Sequence, residues 1–137
     1  MDQELTIGID EIDKQHQELL DRMELLRDYM RRGQSKAAIA ATLKFLASYV
    51  VEHFATEVKY MQQYDYPDIL LHKAEHETFI RDFTAFKEKF TALQEQGEST
   101  TFLGVDIVRK LNSWFMNHIE TVDKKMGVFL AERMGAK

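Results

Sequence analysis

From residue 12 onward apolar side chains recur at spacings of four and three. Ile12, His16, Leu19, Met23, Leu26 and Met30 form one stripe, interrupted only by an imidazole. That rhythm belongs to a helix with one face turned to a core, and it predicts a first helix from about Asp10 to Arg32 with Gly33 as its stop. Leu43, Leu46, Val50 and Phe54 carry a second stripe, predicting a helix from an N-cap at Ser35 to about Tyr64. The break falls at Tyr64-Asp65-Tyr66-Pro67, and Pro67, tolerated in a first turn, starts a third helix. Its Phe79, Phe83, Phe86 and Phe90 share one broad face, and Gly97-Glu98-Ser99-Thr100 connects it to a fourth helix through Val108, Leu111, Phe115 and Ile119. The tail from Asp123 to Met134 reads as a short separate helix around Gly127. No alternating Val/Ile/Thr run bounded by turns marks a strand, and one proline and six glycines in 137 residues leave few breaks. The expected fold is all-α: an up-down-up-down four-helix bundle with a short C-terminal helix, residues 1–137 forming a single domain.

Charge and composition then remove whole classes of function. A net charge of -5, with no basic run longer than Arg31-Arg32, argues against nucleic acid as a partner. No window approaches the roughly eighteen uninterrupted apolar residues of a membrane span, so membrane insertion is not expected. The start shows no basic cluster followed by an apolar stretch, which makes the cytoplasm the expected location. Without cysteine there are no disulfides, thiolate metal sites, iron-sulfur clusters or cysteine nucleophiles.

Chemistry remains in the polar residues that interrupt the stripes. Histidine occurs only at 16, 53, 72, 76 and 118, each time on a face that should meet the core. One core histidine is ordinarily a hydrogen-bonded structural residue, but five need another account. Residues four apart share a helix face, which sets His53 beside Glu57 and His72 beside His76. Folding the chain back at residues 34 and 35 brings His16 level with His53. Folding it at 64 and 65 brings His53 level with His76 and Glu57 level with His72. Folding it at Gly97 brings His76 level with His118, and His72 level with Asp123 to within a residue. His16, His53, His76 and His118 thus form one layer, and Glu57, His72 and Asp123 another about one helical turn away.

Burying two carboxylates among imidazoles is costly without a cation. Five nitrogens and two carboxylates are too many for one tetrahedral zinc, and this mixture suits iron better than copper(I) or calcium. Two metals are the natural count. If both carboxylates bridge, and one oxo or hydroxo bridges as well, a single coordination position stays open for a small ligand, on the iron with only two histidines.

The ordered motifs Ile12-Asp13-Lys14-Gln15-His16, His53-Phe54-Ala55-Thr56-Glu57, His72-Lys73-Ala74-Glu75-His76 and His118-Ile119-Glu120-Thr121-Val122-Asp123 resemble those of the hemerythrin family over nearly the whole chain. The resemblance implies a non-haem di-iron centre that binds dioxygen reversibly. It implies that His72, His76 and His118 bind the saturated iron, that His16 and His53 bind the iron that takes oxygen, and that Glu57 and Asp123 bridge them. An apolar pocket should exclude water from the open position. Leu19, three residues from His16, Phe54, beside His53, and Trp114, four before His118, are its expected lining, with Trp114 foremost; the resemblance adds Ile119. Two features resist this picture. His118 and Asp123, five apart, differ by about 140° on an ideal α-helix, so a π-type widening or the helix end must intervene. The tryptophan that often precedes the first helix in bacterial relatives is missing, with Leu5 near its place.

Asp13, three residues before His16, could orient that ring or simply sit in an acidic first turn. The functional expectation is a monomeric, non-enzymatic protein that stores, transports or delivers dioxygen, with an oxygen-consuming enzyme as candidate recipient. The alternatives are an oxygen or redox sensor acting in trans, and a di-iron enzyme acting on peroxide or nitric oxide. Against the enzyme, no histidine has the Glu three residues before it that ferritin-like oxidases use.

Overall fold

A computed structural model describes residues 6–32, 36–97 and 101–135. The expected stop Gly33, the expected N-cap Ser35, the loop residues 98–100 and Leu5 lie outside the described residues. The helices are α1 (Asp10–Arg31), α2 (Lys36–Gln63), α3 (Ile69–Glu95), α4 (Thr101–His118) and α5 (Lys124–Gly135). α1 packs on α2, α2 on α3, α3 on α4, and α4 returns to α1, which closes a four-helix bundle. Among the described residues there is no strand, and no helix is long and apolar enough to cross a membrane.

The buried face of α1 consists of Ile12, His16, Leu19, Met23, Leu26 and Met30, the predicted stripe. On α3 the buried face is His72, His76, Phe79, Phe83, Phe86 and Phe90. Each fully buried large apolar side chain contributes about 1.5–3 kcal/mol, and the aromatic stack of α3 supplies much of the volume below the histidines. α1 is anchored at its start by Asp13, whose carboxylate accepts from the backbone N–H of Ile7 (2.8 Å) and Gly8 (3.2 Å). Asp13 therefore satisfies free backbone donors ahead of the helix and does not orient His16.

α2 ends in a left-handed cap. Asp65 has φ 55°, Tyr66 N–H donates to the Met61 carbonyl (2.9 Å) and Asp65 N–H to that of Gln62 (3.4 Å), the two bonds of a Schellman motif. Tyr66 and Met61 are both buried there. Pro67 lies inside this turn, and α3 starts two residues later than the sequence suggested. The turn continues through Asp68, with Ile69 N–H bonded to the Tyr66 carbonyl (3.3 Å).

The C-terminal helix is not separate. Ile119–Asp123 forms a π-helical turn that joins α4 to α5 without a break. The hydroxyl of Thr121 donates to the Asn117 carbonyl (2.7 Å) where the ladder changes step. α5 packs on the segment before α1 so closely that a Cβ on Gly127 would sit 2.6 Å from the Ile7 carbonyl oxygen. Only glycine fits that contact.

Candidate metal centre

The bundle carries seven polar side chains where a core would ordinarily be apolar: His16, His53, Glu57, His72, His76, His118 and Asp123, none more than 4% exposed. Each helix of the bundle places its share. α1 gives His16; α2 gives His53 and Glu57 one turn apart; α3 gives His72 and His76 likewise. α4 ends in His118, and the π turn closes on Asp123. A five-residue spacing that would diverge on an α-helix converges because the wider turn takes up the extra residue. His118 Nε2 and Asp123 Oδ1 stand 3.1 Å apart.

The two carboxylates lie between two groups of imidazoles. Glu57 Oε1 is 3.0 Å from His72 Nε2 and 2.8 Å from His76 Nε2, while Glu57 Oε2 is 3.0 Å from His53 Nε2 and 3.4 Å from His16 Nε2. Asp123 repeats the division, with Oδ1 3.1 Å from the Nε2 atoms of both His72 and His118 and Oδ2 3.0 Å from His16 Nε2. Two clusters of potential ligand atoms result, each drawn together within 4.8 Å: Glu57 with His72, His76 and His118, and Glu57 and Asp123 with His16 and His53.

Few of these atoms satisfy one another: only Nε2 of His72 and of His76 hydrogen-bond, both with Glu57 Oε1. Nε2 of His16, His53 and His118, Oε2 of Glu57 and both oxygens of Asp123 are buried, close to oppositely charged partners, and outside hydrogen-bond alignment. Buried polar atoms are nearly always bonded; lone pairs that converge without bonding one another are a donor set for cations. The donor chemistry fits: imidazole and carboxylate, without thiolate, suit iron.

Electrostatics describes the same site without metal. Burial disfavours a charged imidazole, but close pairing with Asp123 and Glu57 outweighs it and pushes His16 up to about 9. The same contest, with Asp123 the strongest of the favourable partners, pushes His118 up to about 10, and His72 moves in that direction too. Burial dominates at His76, which is held below its ordinary value. Glu57 would rise on burial alone, but the charge of His53 and the contacts with His118 and His16 hold it well below the usual carboxylate range. Asp123, opposed by burial and by Glu57, is lowered by His118 and His16. Without metal, the raised imidazoles thus supply the positive charge that offsets the two buried carboxylates.

All four expected pocket residues lie in or against the core around the site. Leu19 and Ile119 are wholly buried. Phe54 has its ring 5.7 Å from His53 and stacks on His76 at 3.8 Å. Trp114 stacks on His118 at 4.5 Å and packs on Phe79, beside the three-histidine cluster. Sequence reasoning passed over Phe115, fully buried with its ring 6.3 Å from His53, and Gln15, whose Oε1 lies 2.8 Å from His53 Nδ1. The signal for Gln15 was its position inside the first motif, next to His16.

A bundle of four helices that converges histidines and two shared carboxylates on a pair of positions is a dinuclear cation-binding bundle. Residues 7–130 match the Hemerythrin HHE cation binding domain family. The chain is 33% identical over 120 residues to a bacteriohemerythrin of Pseudomonas paraeruginosa, covering 88% of this chain and 73% of that one. It is 34% identical over 119 residues to a bacteriohemerythrin of Methylococcus capsulatus, covering 87% and 86%. A crystal structure of wild-type hemerythrin superposes with a TM-score of 0.78 at 33% identity, covering 89% of this chain and 88% of that chain. The chain belongs to the hemerythrin family and stands with its bacteriohemerythrins. Its function is reversible dioxygen binding at a di-iron centre held by histidines and carboxylates, a binding role and not catalysis.

Proposed function

We propose that His72, His76 and His118 would hold one iron and His16 and His53 the other, with the carboxylates of Glu57 and Asp123 shared between the two. In this reading dioxygen is taken up on the two-histidine side and is stored, transported or delivered. The supporting observation is the division of each carboxylate, with one oxygen turned to the three-histidine cluster and the other to the two-histidine cluster.

When bound, the iron pair supplies the redox chemistry that takes up and releases dioxygen. The chain's residues do the rest. Glu57 and Asp123 offset cationic charge where water cannot, and their short tethers, one on α2 and one on the π turn, hold the two positions at a set separation. Phe54 and Phe115, whose rings lie near His53, together with the buried Leu19 and Ile119, would keep the site apolar and exclude the water and protons that would make oxygen uptake irreversible. Trp114 supports the opposite side, holding the plane of His118 by stacking.

The test is to add ferrous iron without air, then cycle the protein between argon and air while following its visible spectrum. A colour change that returns over several cycles is expected. An irreversible change, or hydrogen peroxide released at each cycle, would overturn the carrier reading.

A further inference from the structure

His53 is the imidazole whose outward nitrogen meets a protein acceptor. His16, His72 and His118 leave Nδ1 buried without a partner, whereas His53 Nδ1 lies 2.8 Å from Gln15 Oε1. The neighbours of Gln15 settle which end of its amide is which. Gln15 Nε2 faces Thr56 Oγ1 at 3.0 Å, and the Thr56 hydroxyl donates its proton to the Glu52 carbonyl at 3.1 Å. A hydroxyl whose proton is committed can only accept, so the group facing it is the amide NH2. The group facing His53 is then the amide oxygen, which can only accept in turn. Nδ1 of His53 must carry a proton, and in the neutral ring the lone pair falls on Nε2, turned to Glu57 and the two-histidine cluster.

We propose that Gln15 is a positioning residue that, anchored by Thr56, sets the tautomer of His53 and so prepares the two-histidine half as a nitrogen donor before a cation arrives. The chain Glu52, Thr56, Gln15, His53 crosses from α2 to α1 and back, so the packing of those helices fixes the ring. A neutral amide in that place also matters: a carboxylate would draw the Nδ1 proton and strengthen the ring as a donor. The metal-binding role of this tautomer rests on the di-iron reading above.

The first measurement needs no metal. In 15N-labelled metal-free protein, the His53 Nδ1–H resonance should be present and protected from exchange. It should persist in Gln15→Glu, which keeps an acceptor, weaken in Thr56→Val, and vanish in Gln15→Leu. The second measurement is zinc titration, zinc being a diamagnetic probe: Gln15→Leu should weaken the second of two binding events by about 10–100-fold, with Gln15→Glu restoring it to within a few-fold. An unchanged Nδ1–H in Gln15→Leu, or a proton on Nε2 in the wild-type neutral ring, would overturn the assignment. Failure of the wild-type protein to bind two zinc ions would count against the di-iron reading instead, while the metal-free spectrum still decides the role of Gln15.

Discussion

The two halves of the site are held by different physics. On the three-histidine side Phe54 lies flat on His76 and Trp114 flat on His118, His72 and His76 bond Glu57 through their inward nitrogens, and the outward nitrogens of His72 and His118 have no acceptor. A surface cleft of about 640 Å³, bordered by Leu71, Glu75 and Lys125, reaches His72 on this side. His16 and His53 are wholly buried, packed edge to face at 4.6 Å, and His53 is tied by Gln15. Stacking constrains a ring's plane and tolerates nearby water, whereas a hydrogen bond also fixes the proton. The half with fewer nitrogens is the half whose two rings are wholly buried and one of whose outward nitrogens is bonded.

Glu57 is common to both halves, and its loss should have the largest effect. Glu57→Ala removes one oxygen from each cluster and leaves His16, His53, His72 and His76 without their shared partner. Iron content, measured after anaerobic loading and desalting, should fall from the pair to at most a single ion per chain. Retention of both ions would refute the bridging role.

Acidity comes next, because protons and cations compete for the same atoms. Imidazoles raised to about 9 and 10, His16 and His118, stabilise the metal-free fold fully below their ordinary 6.5. That contribution is lost as the pH climbs through those raised values. The depressed carboxylates act in the opposite sense: Glu57 and Asp123 contribute above their ordinary 4.5 and 3.8, and the contribution is lost as the pH falls through their lowered folded values. His76, held low by burial, adds to the acid-side loss. The metal-free Tm should therefore be highest between about pH 4.5 and 6.5 and fall steadily toward pH 10. In the loaded protein the imidazoles are neutral, and the alkaline fall should disappear. Loading at pH 7 should release protons, those of His16 and His118 among them, read by calorimetry in buffers of different ionisation enthalpy. No release would contradict the charge balance between imidazoles and carboxylates.

A smaller effect separates two adjacent aromatic residues. Phe115 turns toward His53 and Trp114 toward His118. Phe115→Leu and Trp114→Leu should each cost about 1–3 kcal/mol by denaturant unfolding. Only Phe115→Leu should shorten the lifetime of the oxygenated protein several-fold, since it loosens the dry side. Equal shortening in both would erase the distinction between the halves.

Much of this was legible in the chain because it depends on spacing. The stripe of α1 is the buried face of α1, and turning points estimated near glycine and proline were enough to bring seven residues into two adjacent layers. The five-residue gap between His118 and Asp123 announced a departure from α geometry, met by the π turn. What was not legible depends on direction rather than spacing. Trp114 and Phe115 are neighbours in sequence, and only the packed bundle shows which imidazole each one faces. Pro67 was compatible with a first helical turn, but the left-handed Asp65 and the bonds to Met61 and Gln62 used that stretch as a cap. Gln15 reads as an ordinary exposed-face residue until α2 is set beside it.

Glu75 sharpens the comparison at its weakest point. Its Oε2 lies 3.9 Å from His118 Nδ1, and its side chain is 46% exposed. That separation is too long for a hydrogen bond, and a half-exposed carboxylate is well screened by water. If the three-histidine half relies on stacking, Glu75→Gln should leave zinc affinity, iron content and Tm unchanged within error, in contrast to Gln15→Leu. A loss of affinity comparable to that of Gln15→Leu would mean that Glu75 closes on His118 in solution. Both halves would then be held by a hydrogen-bonded outward nitrogen, and the asymmetry would lie only in the number of imidazoles.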